Sequence, residues 1–523
     1  MTIYSFSPFG YEGALVAVEV DLRRGIPAID IVGLADGAVK ESRERMQAAI
    51  RNSGFRFPPE RVLISLSPAD LRKEGAGFDL PIALGVLAAS AELEGKADFI
   101  GEPILVMGEL ELSGKIRPVK GIHAAVATAV SCGIMRCIVP ASNADEAREV
   151  TGVHVFGADN LENAFRALSD LLFYESGGKN LNNGAVPAGC EETGGVFFQK
   201  LQTGYEFAEI KGQKMLVRGL QIAAAGGHNL IAVGAPGCGK TMAIQKFPAI
   251  NPVLTMEEAQ SVTRIWSLAG LIKPSQPLIR IPPFRIPHQT ASIEGICGGG
   301  PNCRPGEISL AHNGVLFLDE AAEFRSSVLQ MLRVPLENGS ITLSRAGRNT
   351  TYPANFQLLM AANPCPCGNY GSKTKICLCS SKSIDQYWKK FSAPLLDRVD
   401  LRVFVENEAE LESFNQEREG LGSTEEIRLG VAKAILAQRK RQGIKNAKLS
   451  PQEIQKFCEM SKEVQDLLDK AIARYGFSPR AVSSCLKVAR TIADIAGEEK
   501  IGPAHMSESI DFHKLCANLV LEL

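Results

Sequence analysis

The spacing of apolar residues along the chain changes character three times. Up to about residue 172, short β-branched runs alternate with segments of three- and four-residue apolar spacing. ALVAVEVDL and VLISLSP predict strands, while AVKESRERMQAAIRNS and DLPIALGVLAASAEL predict helices. An α+β domain over 1–172 is expected. ESGGKNLNNGAVPAGCEETGG then shows no apolar period and is rich in Gly and Asn, so a flexible linker is placed over 173–199. Between 200 and 405 the runs NLIAVGA, GVLFLDE and FQLLMAAN are apolar almost throughout. That pattern predicts buried parallel strands with helices on both faces, an α/β/α domain. Beyond residue 405 the strand signal nearly vanishes. Three stretches of helical period, with Thr424, Ser450 and Ser478 as expected caps, predict a helical domain over 406–523. No internal repeat of fixed period is found.

At 523 residues and 45% apolar content the chain is a multidomain α/β protein rather than one small module. Its 57 Lys and Arg against 58 Asp and Glu give a net charge of -1, so any nucleic-acid site must be a local patch. The start of the chain lacks a basic segment followed by an apolar one. No run reaches the roughly 20 apolar residues that a bilayer requires, so a cytoplasmic protein without a membrane partner is expected. Thirteen cysteines without a secretory pattern point to reduced thiols.

Chemistry concentrates in the 200–405 region. Gly234, Ala235, Pro236, Gly237, Cys238, Gly239, Lys240 and Thr241 spell the eight-residue phosphate-binding loop, after an apolar strand and before a helical segment. Backbone N–H groups of such a loop converge on phosphate, Lys240 reaches the β- and γ-oxygens, and Thr241 ligates Mg²⁺, so ATP and Mg²⁺ are expected. Val315-Leu-Phe-Leu ends in Asp319, expected to hold Mg²⁺ through water, and Glu320, expected as the general base. Asn363 at the end of FQLLMAAN is the expected polar sensor of the γ-phosphate. Cys365, Cys367, Cys377 and Cys379 follow directly. Two pairs of soft ligands suit a structural tetrahedral Zn²⁺, with reduced structural thiols as the alternative.

FAEIKGQKMLVRGLQIAAAGGHNLIAVGAPGCGKT, HQTASIEGICGGGPNCRPGEISLAHNGVLFLDEAAEF, AANPCPCG and APLLDRVDLRV, in this order, resemble the magnesium-chelatase-type AAA+ ATPases of the ComM/YifB family. The resemblance spans essentially the whole chain. It implies a homo-hexamer in which Arg398 is the arginine finger of a neighbour's site, and Arg480 is the sensor arginine on the helical lid. It also places the pore loop at Gly298 to Pro301, with Arg304 nearby. Action on DNA as a branch-migration helicase in transformation or recombination is implied; remodelling of a protein partner, chaperone-like or chelatase-type, is the alternative, and no porphyrin is expected. His288-Gln289, Cys297, Cys303 and the AAEF of 321–324 depart from the family pattern without touching a phosphate or Mg²⁺ position.

KEGAGFDLPIALGVLAAS and the segment after it resemble the Lon-type protease domain, of the ribosomal protein S5 domain 2-like fold. Asp79 and Ala125 stand where that family carries its serine and lysine, so proteolysis is disfavoured and scaffolding or DNA contact is expected. Lys40, Arg43, Arg45 and Arg51 lie among acids and read as a solvated face. Arg439, Lys440, Arg441, Lys445 and Lys448 form the densest basic run, either a solvated helix end or a phosphate track.

Overall fold

The computed structural model describes residues 2–34, 36–69, 71, 73, 75–93, 102–169, 186–300, 303–345, 348–371, 375–405 and 422–521. Residues 173–185 of the expected linker, Pro301 and 406–421 lie outside these. A seven-stranded mixed sheet forms the N-terminal part. Ala14–Arg23 and Arg61–Ser67 pair in antiparallel register. The helices Gly37–Asn52 and Asp79–Leu93 pack on one face, burying Met46, Ile50, Leu80 and Leu84. Ile122–Ser131 covers the other, burying Val126 and Ala129 against Leu105 and Val139. The expected α+β elements are all present.

The central part is a five-stranded parallel sheet. Its strands in chain order are β1 (Leu230–Gly234), β2 (Phe284–Arg285), β3 (Val315–Leu318), β4 (Gln357–Ala362) and β5 (Leu401–Val405), arranged β2-β3-β4-β1-β5. Every residue of β1, β3 and β4 is buried, which accounts for apolar runs without alternation. Because all pairings are parallel, the carboxyl ends of β1, β3 and β4 gather at one edge, where ligands of open α/β sheets bind.

The structure corrects the linker. Cys190–Thr193 and Val196–Gln199 form an antiparallel hairpin whose Val196 and Phe198 enter the main core beside Val431 and Ala432. The helical domain is likewise not free-standing. Its first helix, Thr424–Arg441, buries Val431, Ala434 and Ile435 in the same core as Leu220 and Ala223 of Lys214–Gly226. A smaller core of Leu449, Val464, Leu468 and Met506 holds the remaining helices together. Ser423, rather than Thr424, caps that first helix through a reciprocal bond with Glu426. The Thr424 hydroxyl instead donates to Glu206 and accepts from the Phe207 N–H. Ser450 and Ser478 cap as expected. Ser340–Arg345 pairs with Arg348–Pro353 in a hairpin that the sequence reading did not anticipate. No helix among the described residues is long and apolar enough to cross a membrane.

Candidate functional site

The loop after β1 passes through Gly237 and Gly239, both at positive φ, and enters the helix Lys240–Gln245. Lys240 is buried and donates to the carbonyls of Gly234 at 2.7 Å and Ala235 at 2.8 Å; its Nζ lies 3.5 Å from Asn363 Oδ1. Thr241 donates to Asp319 Oδ1 at 3.0 Å. The loop, the end of β3 and the end of β4 therefore place Lys240, Thr241, Asp319 and Asn363 in one site, as their sequence positions require. Glu320 has φ +48, a left-handed conformation that costs a non-glycine residue roughly 1–2 kcal/mol. The bend leaves Asp319 accepting from the Glu320 N–H at 3.0 Å, while the Glu320 side chain is exposed. Gln213 was not singled out from sequence: buried at the start of Lys214–Gly226, it donates to the Cys238 carbonyl and fixes the loop from behind.

Arg398 and Arg480 are not at this edge. The Arg398 carbonyl accepts from Asn229, the residue before β1, and β5 begins three residues later in register with Leu230. At about 3.3 Å per residue, β1 separates them from their own phosphate loop by roughly 13 Å or more. Glu337 holds both arginines, pairing with Arg398 and lying 3.9 Å from Arg480. The guanidinium of Arg398 depresses the Glu337 pKa. Asp397, Lys448 and Lys487 line the same cleft, of about 260 Å³.

The four cysteines after β4 converge, their sulfurs all within 4.8 Å of one another. Cys365 Sγ lies 3.3 Å from Cys367 and 3.7 Å from Cys377. Tetrahedral Zn–S bonds of 2.3 Å require sulfurs about 3.8 Å apart, so the set fits that ion. The Tyr370 N–H points at Cys365 Sγ, and the Asn369 N–H, then Cys365, pull the Cys367 thiol down to about 6. Gly368, at φ +78, presses on the phosphate loop: a Cβ there would stand 2.4 Å from Pro236 Cδ.

In the N-terminal part, Asp79 is fully buried and bound by Ser42, by Arg45 at 2.8 and 3.0 Å, and by the Leu110 N–H. Arg45 is thus a structural ion-pair partner and not part of a solvated face. Ala125 is buried in its helix, and the pair offers no nucleophile or base. The basic run also divides. Arg441 is clamped by Asp494 and Asn446, whereas Arg439, Lys445 and Lys448 line a cavity of about 470 Å³. Gly298–Gly299 and Arg304–Pro305 form a short hairpin where the pore loop was expected.

Comparison with known proteins gives three family matches in chain order: subunit ChlI of Mg-chelatase over residues 18–143, magnesium chelatase subunit ChlI over 206–413, and its C-terminal part over 422–513. Protein YifB of Escherichia coli is 38% identical over 514 residues, covering 98% of this chain and 97% of its own. Competence protein ComM of Haemophilus influenzae is 37% identical over 518 residues, again 98% and 97%. An uncharacterized protein of Mycobacterium tuberculosis is 37% identical over 521 residues, 98% of each chain.

Proposed function

Because the chain belongs to the ComM/YifB family of magnesium-chelatase-like AAA+ ATPases, we propose that it is an ATP-driven motor assembled as a hexameric ring and acting on DNA. One observation carries the ring: the site is split, with Lys240, Thr241, Asp319, Glu320 and Asn363 at one edge of the sheet and Arg398 and Arg480 at the other. Neither arginine can reach its own phosphate loop, so each serves the loop of an adjacent copy. DNA as the substrate is supported by the competence role in the name of the Haemophilus relative and rests on no base-reading element of this chain.

In this reading Lys240 exchanges the carbonyls of Gly234 and Ala235 for the β- and γ-oxygens of ATP. Thr241 and Asp319, already in contact at 3.0 Å, would hold Mg²⁺, which would offset charge on the β- and γ-phosphates. Glu320 accepts the proton of the water that attacks the γ-phosphorus, and Asn363 orients that water or a γ-oxygen. The guanidinium groups of the neighbour offer bidentate donors to the charge that spreads over the transferring phosphoryl. The four cysteines would hold Zn²⁺ in a structural role, their four thiolates leaving no ligand position for substrate.

The test is steady-state ATP hydrolysis with no DNA, single-stranded, forked and four-way-junction DNA, with Glu320→Gln as the control for contaminants. Turnover that rises with a particular DNA structure and vanishes in the control supports the motor. Turnover indifferent to every DNA moves the search to protein partners.

A further inference from the structure

The cleft that holds Arg398 and Arg480 carries more positive charge than two arginines: four cations face three carboxylates. Lys448 and Lys487 line it as well. The Lys487 ammonium reaches the Ala447 carbonyl at 3.1 Å, and the Lys448 ammonium, on an exposed residue, meets no acceptor or carboxylate among the described residues. Desolvation, then Lys445 and Lys487, lower the pKa of Lys448 against the pull of Asp400; desolvation lowers that of Lys487, opposed first by Asp400, with Arg480 adding a smaller push downward. The Arg398 side chain is 8% exposed, and its buried Nε has no acceptor. Of the three carboxylates nearby, Glu337 serves both arginines, Asp400 accepts from Ser484 and pairs with His228 while attracting both lysines, and Asp397 is the third. Four cations gathered in one cleft, with a buried guanidinium donor left open, form a receptor for a multiply charged anion.

The chain's own triphosphate would lie beyond the far end of β1, so the anion comes from another molecule. A nucleic-acid backbone and a neighbour's nucleotide share phosphate chemistry. The recessed cleft beside two guanidinium groups favours the compact, highly charged polyphosphate. We propose that Lys448 and Lys487 join Arg398 and Arg480 in one receptor that grips the polyphosphate of the nucleotide bound in the adjacent copy's phosphate loop. This rests on the split-site reading above and adds Lys487, which no motif singles out, and Lys448, until here only one member of a basic run, to the nucleotide machinery.

The experiment uses the full chain and the double variant Lys448→Ala/Lys487→Ala, with Lys448→Arg/Lys487→Arg as the conservative control. Expected for the alanine variant are a 10- to 100-fold loss of ATP turnover, an unchanged melting temperature, and unchanged binding of a fluorescent ATP analogue to the dilute chain. The arginine variant keeps most of the turnover. Mixing the alanine variant, whose loop is intact, with Lys240→Ala, whose receptor is intact, restores turnover by pairing the two halves. Full turnover in the alanine variant overturns the proposal, as does a loss that mixing does not repair. Unchanged turnover with weakened single-stranded DNA binding assigns the cleft to nucleic acid and overturns it as well. Sedimentation separates failure of the ATPase reading: with a Glu320→Gln chain, ATP should promote assembly, and the two alanines should abolish that promotion whether or not the wild type turns ATP over. ATP-promoted assembly that survives both alanines overturns the proposal.

Discussion

Lys240 rests on two carbonyls of its own loop and Thr241 on Asp319, so the site presents its phosphate and Mg²⁺ groups already gathered, while Glu320 stands apart on a strained backbone. Glu320→Gln keeps the shape but cannot take a proton. It should lower turnover by about 10²–10⁴-fold while ATP binding stays within a few-fold of wild type, checked by single-turnover hydrolysis and titration of a fluorescent analogue. Gly368→Ala should act differently. Its φ of +78 and the 2.4 Å approach to Pro236 force the added methyl into the phosphate loop. ATP affinity should fall several-fold, and the backbone strain should cost about 1–2 kcal/mol of stability. A variant that melts lower yet binds ATP normally would refute the coupling. Lys240 and Thr241 were legible because their spacing within one short motif dictates their geometry, and Asp319 because a fully buried apolar strand ends at it. The contact of Gly368 with Pro236 was not, since it arises from packing between distant segments, nor was the bend at Glu320, a left-handed backbone that a glutamate does not signal.

Among the elements, those with sustained apolar period were readable and those stabilised by one or two contacts were not. The buried runs of β1, β3 and β4 left no other assignment, whereas the hairpin at Cys190–Gln199 commits only Val196 and Phe198 to the core amid glycines and glutamates. Thr424 looked like a cap until its hydroxyl was seen to bridge Glu206 and Phe207, a contact across more than 200 residues. The cysteine loop shows what an element can transmit. It starts at the end of β4, is tied to the following helix by the Trp388 indole on the Pro364 carbonyl, and leans on the phosphate loop through Gly368. Purified protein should carry about one Zn²⁺ per chain. Chelation or Cys365→Ser should reduce ATP affinity and turnover together, because the ion fixes the loop that backs Pro236. Metal analysis and ATP titration on the same samples check this, and loss of Zn²⁺ with unchanged turnover would reject it.

At the scale of the whole molecule the domains meet through buried polar groups as well as through shared apolar core. His123 bonds Gln260 at 2.6 Å across the junction of the N-terminal and central parts, and Arg264 bonds the carbonyls of Tyr11 and Glu12 and the Thr128 hydroxyl. Tyr11 contacts Ser261, which contacts His312, which accepts from the Asn355 N–H just before β4. On the other side, His513 meets the Asp400 carbonyl before β5. Burial holds all three imidazoles near pKa 4, with Arg264 adding to it at His123, Lys448 at His312, and Arg402, opposed by Asp400, at His513. Unfolded histidines titrate near 6.5, so between about pH 6.5 and 4 the unfolded chain binds protons that the folded chain refuses. Stability is therefore complete above about pH 6.5 and falls with acid through that window, each histidine contributing at most about 1.4 kcal/mol per pH unit. Melting temperature should be flat from pH 7 to 8 and drop steeply below 6. His123→Gln removes one of these protons and retains a donor for Gln260, so its melting curve against pH should be shallower than that of the wild type. Parallel curves would mean that His123 is protonated, or reached by water, in the folded chain, and that the junction of the two domains opens before it titrates.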